Sequence, residues 1–255
     1  MNGQEKQQKA NRSIMRLCSS VLIRARNFFY PPLCVLCDSP LSPADPWLCP
    51  GCIEKLDYNA AHRNACPRCS QNRTRHRCAC EFAWDYPFER VFSFFDFDET
   101  VKEIAHHFKY KGRKALAYHI GRRYASRIPR DFFDGIDGAV AIPLHFMRRM
   151  KRGYNQAEHF AHGVLSSVKP SIPFLQRALR RTRHTQTQTK LDKEQREKNL
   201  KGVFAVAAKD AERIRNKKLI LFDDVVTTGA TTGHCTRALR AAGASEVRVL
   251  SMARD

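Results

Sequence analysis

Two groups of residues in this 255-residue chain have the types and spacing that chemistry requires. The first is a cysteine block, which holds eight of the ten cysteines between residues 34 and 80. The second is a threonine-rich segment near the end of the chain, where an apolar run leads into Asp223 and Asp224. Paired cysteine thiolates bind a metal ion, and a threonine and glycine loop that opens a helix binds a phosphate group.

The cysteine block has the spacing of two zinc sites. Its first half reads C-x2-C-x11-C-x2-C, and its second half reads C-x2-C-x8-C-x-C. A Cys-x-x-Cys turn places two thiolates on one side of a tight knuckle, and two such turns complete one tetrahedral Zn²⁺ site. Four thiolates leave no open position for water, so we expect structural zinc and no catalysis at either metal. The predicted ligands are Cys34, Cys37, Cys49, Cys52, Cys66, Cys69, Cys78 and Cys80.

Two alternatives stay open for these cysteines. A disulfide framework would need an oxidising compartment, and nothing in the sequence directs the chain to one. The final C-x-C departs from the usual knuckle, so His62 or His76 could replace a thiolate in the second site, and the sharing of ligands between the metals is not settled. Cys18 and Cys235 lie outside the block, and we expect them to be buried thiols.

The segment from Leu219 to Thr232 has the pattern of a phosphate-binding loop. A buried strand leads to Asp223 and Asp224, and a loop with Gly229 then opens a helix. Amides at a helix start carry partial positive charge, and glycine lets the backbone approach an anion closely. The ionised carboxylates only accept hydrogen bonds, so they suit ribose hydroxyls or waters on Mg²⁺.

Other nucleotide-binding patterns are absent. A strand that ends in two aspartates is typical of a Walker B element, but the chain has no G-x-x-x-x-G-K-[ST] loop to accompany it. The dinucleotide fingerprint G-x-G-x-x-G is missing as well. A plain strand–turn–helix with a threonine N-cap explains Thr227 or Thr228 but leaves the acidic pair unexplained.

The elements that must position these residues alternate between strands and helices from about residue 90. This alternation predicts an α/β fold with a parallel sheet, in which ligands bind beyond the carboxyl ends of the strands. The predicted strands are residues 91–97, 139–142, 203–206, 218–222 and 247–252, and the predicted helices are 101–127, 149–165 and 231–242.

The net charge of +20 predicts anionic partners such as nucleic acid, a phosphorylated metabolite or an acidic membrane surface. Four stretches carry this charge: residues 1–33 (+5), 101–130 (+8), 145–155 (+4) and 177–201 (+6). Each of them could also be an ordinary solvated helix face.

Residues 14–22 form a short apolar stripe at helical spacing among arginines, which could contact a membrane surface or DNA, although packing on the protein itself is favoured. No apolar run reaches 18 residues, and no small-residue cleavage site follows the stripe. We therefore predict a cytoplasmic protein without a transmembrane segment.

The segment 219–232 resembles the phosphoribosyl-pyrophosphate (PRPP) motif of type I phosphoribosyltransferases. Together with the cysteine block, it resembles the ComF family, which includes GntX and comprises competence and DNA-utilisation proteins. Further segments match that family: residues 31–34, 108–112, 142–145 with 152–156, and the spaced positions Arg181, Arg183, Thr185, Gln188, Arg196 and Asn199. The resemblance covers nearly everything from Pro31 onward and implies a double zinc ribbon at 31–85 and a phosphoribosyltransferase-like domain at 90–255. The charge and the helical spacing predict that residues 1–30 are a basic, partly helical extension.

The resemblance also implies the role of each part of the site. Asp223 and Asp224 would contact the ribose hydroxyls, and residues 181–200 would form a mobile loop that closes over the reacting centre. Basic side chains and Mg²⁺ would neutralise the leaving pyrophosphate, with Lys151 and Arg152 as catalytic residues. The residues expected to bind PRPP are Thr227, Thr228, Gly229, Ala230 and Thr231 at the 5′-phosphate, and Pro143, Leu144, His145 and Arg149 at the pyrophosphate.

Two functions follow from these expectations. One is phosphoribosyl transfer to an acceptor that the sequence does not identify, since no general base stands out. The other is a non-catalytic adaptor that binds single-stranded DNA and keeps PRPP binding for sensing or as a vestige. Either would serve DNA uptake or utilisation, with competence or DNA-translocation proteins as further partners.

Overall fold

The structure, a computed structural model, describes residues 31–41, 45–61, 63–74, 78, 80, 86–144, 146–168, 170–182 and 202–255. Several predictions fall outside these ranges. They concern the helix at residues 14–22, most of the mobile loop at 181–200, and Cys18, His62, His76 and His145.

The chain divides into two compact units, Met1–Glu54 and Lys55–Asp255. In the described part of the first unit, the Val35 amide donates to the Trp47 carbonyl at 3.0 Å, and the Cys34 amide donates to the Ser39 carbonyl at 2.8 Å. These bonds fold the first Cys-x-x-Cys turn into a closed knuckle. The second unit contains the second half of the cysteine block as well as the main sheet.

The second unit is built on a four-stranded sheet, all of whose strand pairs are parallel. In spatial order the strands are β1 (Arg90–Asp96), β6 (Glu246–Arg254), β5 (Lys218–Val226) and β2 (Gly138–Ala141). A separate antiparallel pair joins β3 (Leu179–Arg181) to β4 (Phe204–Val206). The predicted α/β class with a parallel sheet is confirmed, whereas strand β3 was not anticipated from the sequence.

Six α-helices are described, and two of the predicted helices are each divided by a glycine turn. Gly112 has a φ of +70° and Gly153 has a φ of +75°, a conformation that ends a helix readily only at glycine. Asp98 and Asn155 cap the helices that begin near them, since each side chain accepts a backbone amide. The helices are α1 (Pro50–Ala61), α2 (Glu99–Tyr110), α3 (Lys114–Tyr124), α4 (Phe146–Arg152), α5 (Gln156–Leu165) and α6 (Ala230–Ala241).

The core of the second unit surrounds the central strands. The side chains from Leu219 to Phe222 on β5 are completely buried, as expected for a parallel strand covered on both faces. Cys235 on α6 is buried in the same cluster, which confirms the prediction made for this thiol. None of the helices in the described ranges combines the length and apolarity that crossing a bilayer requires.

Candidate functional site

The acidic pair lies inside strand β5 and not after it. The sequence predicts that the strand ends at Phe222, but the ladder with β6 continues to Val226, and Asp223 pairs with Ser251. Both carboxylates are held by a rigid strand and are buried, with Asp223 only 9% exposed.

A lysine from a distant helix neutralises one member of the pair. The Lys109 ammonium, near the end of α2, lies 2.6 Å from the Asp224 carboxylate. The Gln156 amide donates to the same carboxylate at 3.3 Å. Burial alone would raise the pKa of Asp224, but Lys109 and these hydrogen bonds hold it below its ordinary value. Asp224 is therefore a charged acceptor in the free protein.

Asp223 has the opposite electrostatic character. Burial is the main cause that raises the pKa of Asp223 well above its ordinary value, and the charge of neighbouring Asp224 raises it further. One of its oxygens accepts the Asp224 backbone amide at 2.8 Å. The pair thus combines a charged carboxylate and one that resists ionisation, and together they can accept and donate hydrogen bonds to a diol.

Residues 227–231, here called the phosphate loop, connect β5 to α6. Gly229 adopts a φ of +79°, and a Cβ there would lie 2.8 Å from the Tyr86 ring. The Tyr86 hydroxyl donates to the Thr228 carbonyl at 2.6 Å, while Thr227 and Thr228 are exposed. Only glycine fits this turn, because a side chain would be strained in conformation and would clash with the tyrosine.

Side chains hold the carbonyl groups of this loop from one side. The Arg254 guanidinium donates to the carbonyls of Val226, at 3.0 Å, and of Thr227. Since Tyr86 binds the next carbonyl, three successive carbonyls face protein donors. In a trans peptide the N–H points away from the C=O, so the amides of residues 227–229 point away from those donors. Such a row of amides before a helix is a site for an anion.

The predicted pyrophosphate turn lies next to the acidic strand. Strand β2 pairs with β5 in a register that sets Ala141 opposite Phe222, so Pro143 and Leu144 follow β2 at the same edge of the sheet. Asn155 fixes the turn, because its side-chain amide donates to the Ile142 carbonyl at 2.9 Å.

A cleft of about 360 Å³ opens beside this turn. Its walls combine apolar side chains with four arginines, and Arg149 lies 3.8 Å from the Glu158 carboxylate. The cleft borders the predicted pyrophosphate turn but is not lined by the acidic pair. The arginines are Arg149, Arg177, Arg180 and Arg181.

The two predicted catalytic cations on α4 differ in their surroundings. Arg152 donates to the Gln156 side chain at 3.1 Å and lies over the Tyr110 ring. Because Gln156 also binds Asp224, Arg152 joins the network around the acidic pair. Lys151 is exposed on the helix and does not take part in this network.

The first half of the cysteine block gathers into one tetrad. Sulfur atoms of Cys34, Cys37, Cys49 and Cys52 all lie within 4.8 Å of one another. The Cys37 and Cys49 sulfurs are 3.5 Å apart, near the ~3.8 Å expected between two thiolates on one tetrahedral zinc ion. Hydrogen bonding with Ser39 lowers the pKa of Cys37 to about 6, which favours the thiolate form that binds metal.

The second half gathers in the same way, from Cys66, Cys69, Cys78 and Cys80. Burial opposes ionisation of Cys66, but the amides of Cys69 and Arg68 lower its pKa to about 6. Burial raises the pKa of Cys69 to about 11, so a cation is needed before all four sulfurs can ionise. The cysteines in the described ranges form no disulfide, and both tetrads could hold zinc.

Four residues of the site were not assigned a role from the sequence: Lys109, Gln156, Tyr86 and Arg254. Lys109 belongs to the 108–112 segment, which matches the family but carries no recognised chemistry of its own. Gln156 ends another matching segment. Tyr86 and Arg254 carry no sequence signal, because their importance comes from backbone carbonyls far away in the chain.

Comparison with known proteins finds relatives along most of the chain, although no family model matches it. It is 34% identical to competence protein F of Haemophilus influenzae over 118 residues, which are 46% of this chain and half of that protein. It is 25% identical to DNA utilization protein YhgH of Escherichia coli K12 over 237 residues, covering 88% of this chain and 97% of that one. Competence protein ComFC of Bacillus subtilis is 24% identical, covering 81% and 88%.

Among solved structures, the chain is similar to glutamine PRPP amidotransferase from B. subtilis, complexed with ADP and GMP. The identity is 18% and the TM-score 0.38, and the match covers 58% of this chain and 30% of the other. The resemblance to the ComF family is carried instead by the curated relatives, two of which match along most of both chains. The chain is thus similar to competence and DNA-utilization proteins, which confirms the resemblance to the ComF family predicted from its motifs.

Proposed function

We propose that this chain binds PRPP together with Mg²⁺ where β2 and β5 end, and that it serves DNA uptake or utilisation. The observation that carries the proposal is the meeting of three features at one edge of the sheet. They are the carboxylate pair on β5, the outward row of amides in the phosphate loop, and the turn at Pro143 and Leu144. Together they match the ribose, the 5′-phosphate and the pyrophosphate of PRPP.

Each part has a role that its surroundings support. The phosphate loop binds the 5′-phosphate through its amides and threonine hydroxyls. Asp223 and Asp224 bind the ribose hydroxyls, with Lys109 holding Asp224 in its charged form. Arg149 lines the cleft beside Pro143 and Leu144, and Arg152 bonds to Gln156 next to the acidic pair; both would supply positive charge to the pyrophosphate.

Magnesium fits this site as an ion carried by the pyrophosphate. Lys109 already occupies one carboxylate of the pair, so the described residues do not form an all-carboxylate cage. Mg²⁺ commonly keeps several waters and binds through substrate phosphates, and it would supply charge neutralisation at the leaving group. The reaction class that such a site serves is displacement of pyrophosphate from the ribose by an acceptor nucleophile.

The two cysteine tetrads complete the proposal as structural zinc sites. Each brings four sulfurs within 4.8 Å without a fifth ligand among the described residues. We also infer a cytoplasmic location, since free thiolates persist in a reducing compartment.

Calorimetry with PRPP and Mg²⁺ tests the proposal directly. The full chain should release or absorb heat on binding, and a chain with Asp223→Asn and Asp224→Asn should not. Asp131→Asn with Asp137→Asn is a matched control, since both residues are exposed carboxylates away from the phosphate loop. Absence of binding by the unmodified chain, or unchanged binding after the first pair of substitutions, would overturn the proposal.

A second candidate function is binding of single-stranded DNA, and helix α4 is the observation that favours it. None of its seven residues is buried, and it presents Phe146 at 61% exposure and Met150 at 67% beside four cations. Exposed aromatic and cationic side chains together are typical of surfaces that bind single-stranded nucleic acid. The names of the relatives, competence protein and DNA utilization protein, agree with this role. Proteins of competence or DNA translocation would be further partners.

A further inference from the structure

The phosphate loop and the second cysteine tetrad meet at one arginine. Arg254 is the last residue of β6 and is only 8% exposed. On one side its guanidinium donates to the carbonyls of Val226, the last residue of β5, and Thr227, the first residue of the phosphate loop. On the other side its Nε donates to the Cys69 carbonyl at 3.3 Å.

These acceptors depend on one another through the shape of the guanidinium. It is planar and holds its N–H groups at fixed angles, so movement of one acceptor alters the geometry toward the others. A lysine could keep the charge, but its single ammonium has no such fixed fork. Arg254 therefore links the positions of the carbonyl groups at the two sites, in addition to supplying charge.

The Cys69 carbonyl belongs to the metal-binding knuckle itself. The Ser70 amide closes this turn by donating to the Cys66 carbonyl at 2.9 Å, and Ser70 adopts a φ of +59°. The same turn is tied to the sheet, because the Val91 amide donates to the Arg68 carbonyl at 2.7 Å. A metal ion on the four sulfurs holds the knuckle in this form, and loss of the ion releases the Cys69 carbonyl from it.

We propose that Arg254 is a positioning residue which couples metal binding at the second tetrad to phosphate binding at the loop. A metal-bound tetrad holds the Cys69 carbonyl, Arg254 then holds the loop carbonyls, and the amides opposite them face the anion. The inference rests on the proposed PRPP site. Because coupling between two binding equilibria is reciprocal, PRPP must tighten zinc as much as zinc tightens PRPP.

The test measures zinc affinity of the full zinc-loaded chain by equilibrium competition with a chromophoric chelator, with and without PRPP and Mg²⁺. One of two zinc equivalents should bind about tenfold more tightly when PRPP is present, within the usual range of such coupling. The other equivalent, at Cys34, Cys37, Cys49 and Cys52, belongs to the first compact unit and is an internal control.

Arg254→Lys should abolish the shift in zinc affinity and weaken PRPP binding by a similar factor, while still binding two zinc ions. Arg248→Lys is the matched control: it lies on the same strand and donates to the carbonyls of Asp131 and Phe132, about 20 Å from the loop. The shift should survive in that variant. PRPP binding without any shift in the zinc affinity of the unmodified chain would overturn the coupling, even if Arg254→Lys fails to fold. Absence of PRPP binding would overturn the proposed function and this inference with it.

Discussion

Two adjacent carboxylates are buried on one strand, and their neighbours give them different charges. Lys109 keeps Asp224 ionised, whereas burial and the charge of Asp224 keep Asp223 protonated to a higher pH. Such an arrangement costs folding stability in the free protein, and binding of a ribose diol would offset it. The acidic pair therefore leads to two predictions about single residues.

Asp223→Asn should raise the thermal unfolding temperature at neutral pH. A raised folded-state pKa contributes stability below the ordinary pKa of aspartate, and this contribution is lost as pH rises through the folded-state value. Asparagine avoids that loss and can still accept the Asp224 amide, so the advantage should grow with pH. A gain of about 1 kcal/mol corresponds to roughly 2–4 °C in a protein of this size.

Asp137→Asn is the control for this measurement, because its effect on stability at neutral pH should have the opposite sign. The Lys218 amide and the Lys217 ammonium lower the pKa of Asp137, so its stability contribution is present at neutral pH and lost as pH falls. Its asparagine variant should be slightly less stable at pH 7 and equal to the unmodified chain in acid. An Asp223→Asn variant that loses stability in the same way would contradict the charge assignment of the pair.

Lys109→Met should destabilise the fold by about 3 kcal/mol, because it leaves the buried Asp224 carboxylate without its cation. Adding Asp224→Asn to that variant should recover most of the loss, since the second change removes the unpaired charge. Urea unfolding of the two single variants and the double variant measures the coupling. If the loss in the double variant equals the sum of the two single losses, Lys109 and Asp224 do not interact as the structure indicates.

At the scale of elements, the site is formed where strands β2 and β5 end and helix α6 begins. The continuation of β5 to Val226 places both carboxylates on the rigid sheet. Gly229 adopts the left-handed conformation and turns the chain directly into α6, beside the ring of Tyr86.

Gly229→Ala should weaken PRPP binding at least tenfold and destabilise the fold. A left-handed alanine costs about 1–2 kcal/mol by itself, and its Cβ would also press on Tyr86 at 2.8 Å. Calorimetry and thermal unfolding of the same samples would measure both effects.

Gly233→Ala is the matched control, one turn further along α6. A Cβ there meets Pro87 at 3.7 Å, an ordinary contact, and alanine favours a helix over glycine by about 0.5–1 kcal/mol. This variant should be as stable as the unmodified chain or more so, with unchanged PRPP affinity. Equal behaviour of the two alanine variants would show that the turn at Gly229 has no special role.

At the scale of the whole molecule, the charge of +20 exceeds what one polyphosphate ligand needs. Among the described basic residues, Arg152 and the four arginines that line the cleft lie near the proposed pyrophosphate position. The exposed helix α4 adds cations beside Phe146 and Met150, which supports a second, polymeric anion.

Affinity for single-stranded DNA should fall steeply with salt, and Arg148→Gln with Lys151→Gln should reduce the slope of log affinity against log salt by about 1.4. Each neutralised phosphate contributes about 0.7 to that slope for a single strand. Fluorescence anisotropy of a labelled oligonucleotide at several salt concentrations measures it. Arg122→Gln with Lys209→Gln removes two exposed cations elsewhere and should leave the slope less affected. A flat salt response of the unmodified chain would exclude DNA binding of this kind.

The parts of the molecule formed by neighbouring residues could be predicted from the sequence. Each cysteine tetrad consists of closely spaced pairs, and the acidic pair with its threonine loop is one uninterrupted segment. The apolar run at 219–222 predicted the central strand, since a strand covered on both faces shows no alternation of apolar and polar residues. The alternating elements likewise predicted the parallel sheet. The boundaries were less accurate: Gly112 and Gly153 end helices that periodicity alone continues through.

The residues that contact these segments from distant parts of the chain could not be predicted in this way, because their positions depend on the order of the strands in space. Lys109 and Asp224 are 115 positions apart, and Arg254 reaches Cys69 across 185. No local spacing rule relates such residues. They meet because β6 lies between β1 and β5, and because β2 lies on the other side of β5. The thiolates and the phosphate loop lie close together along the chain, and they could therefore be predicted from the sequence. The charge state of the acidic pair and the support of the loop arise only from the packing of distant elements.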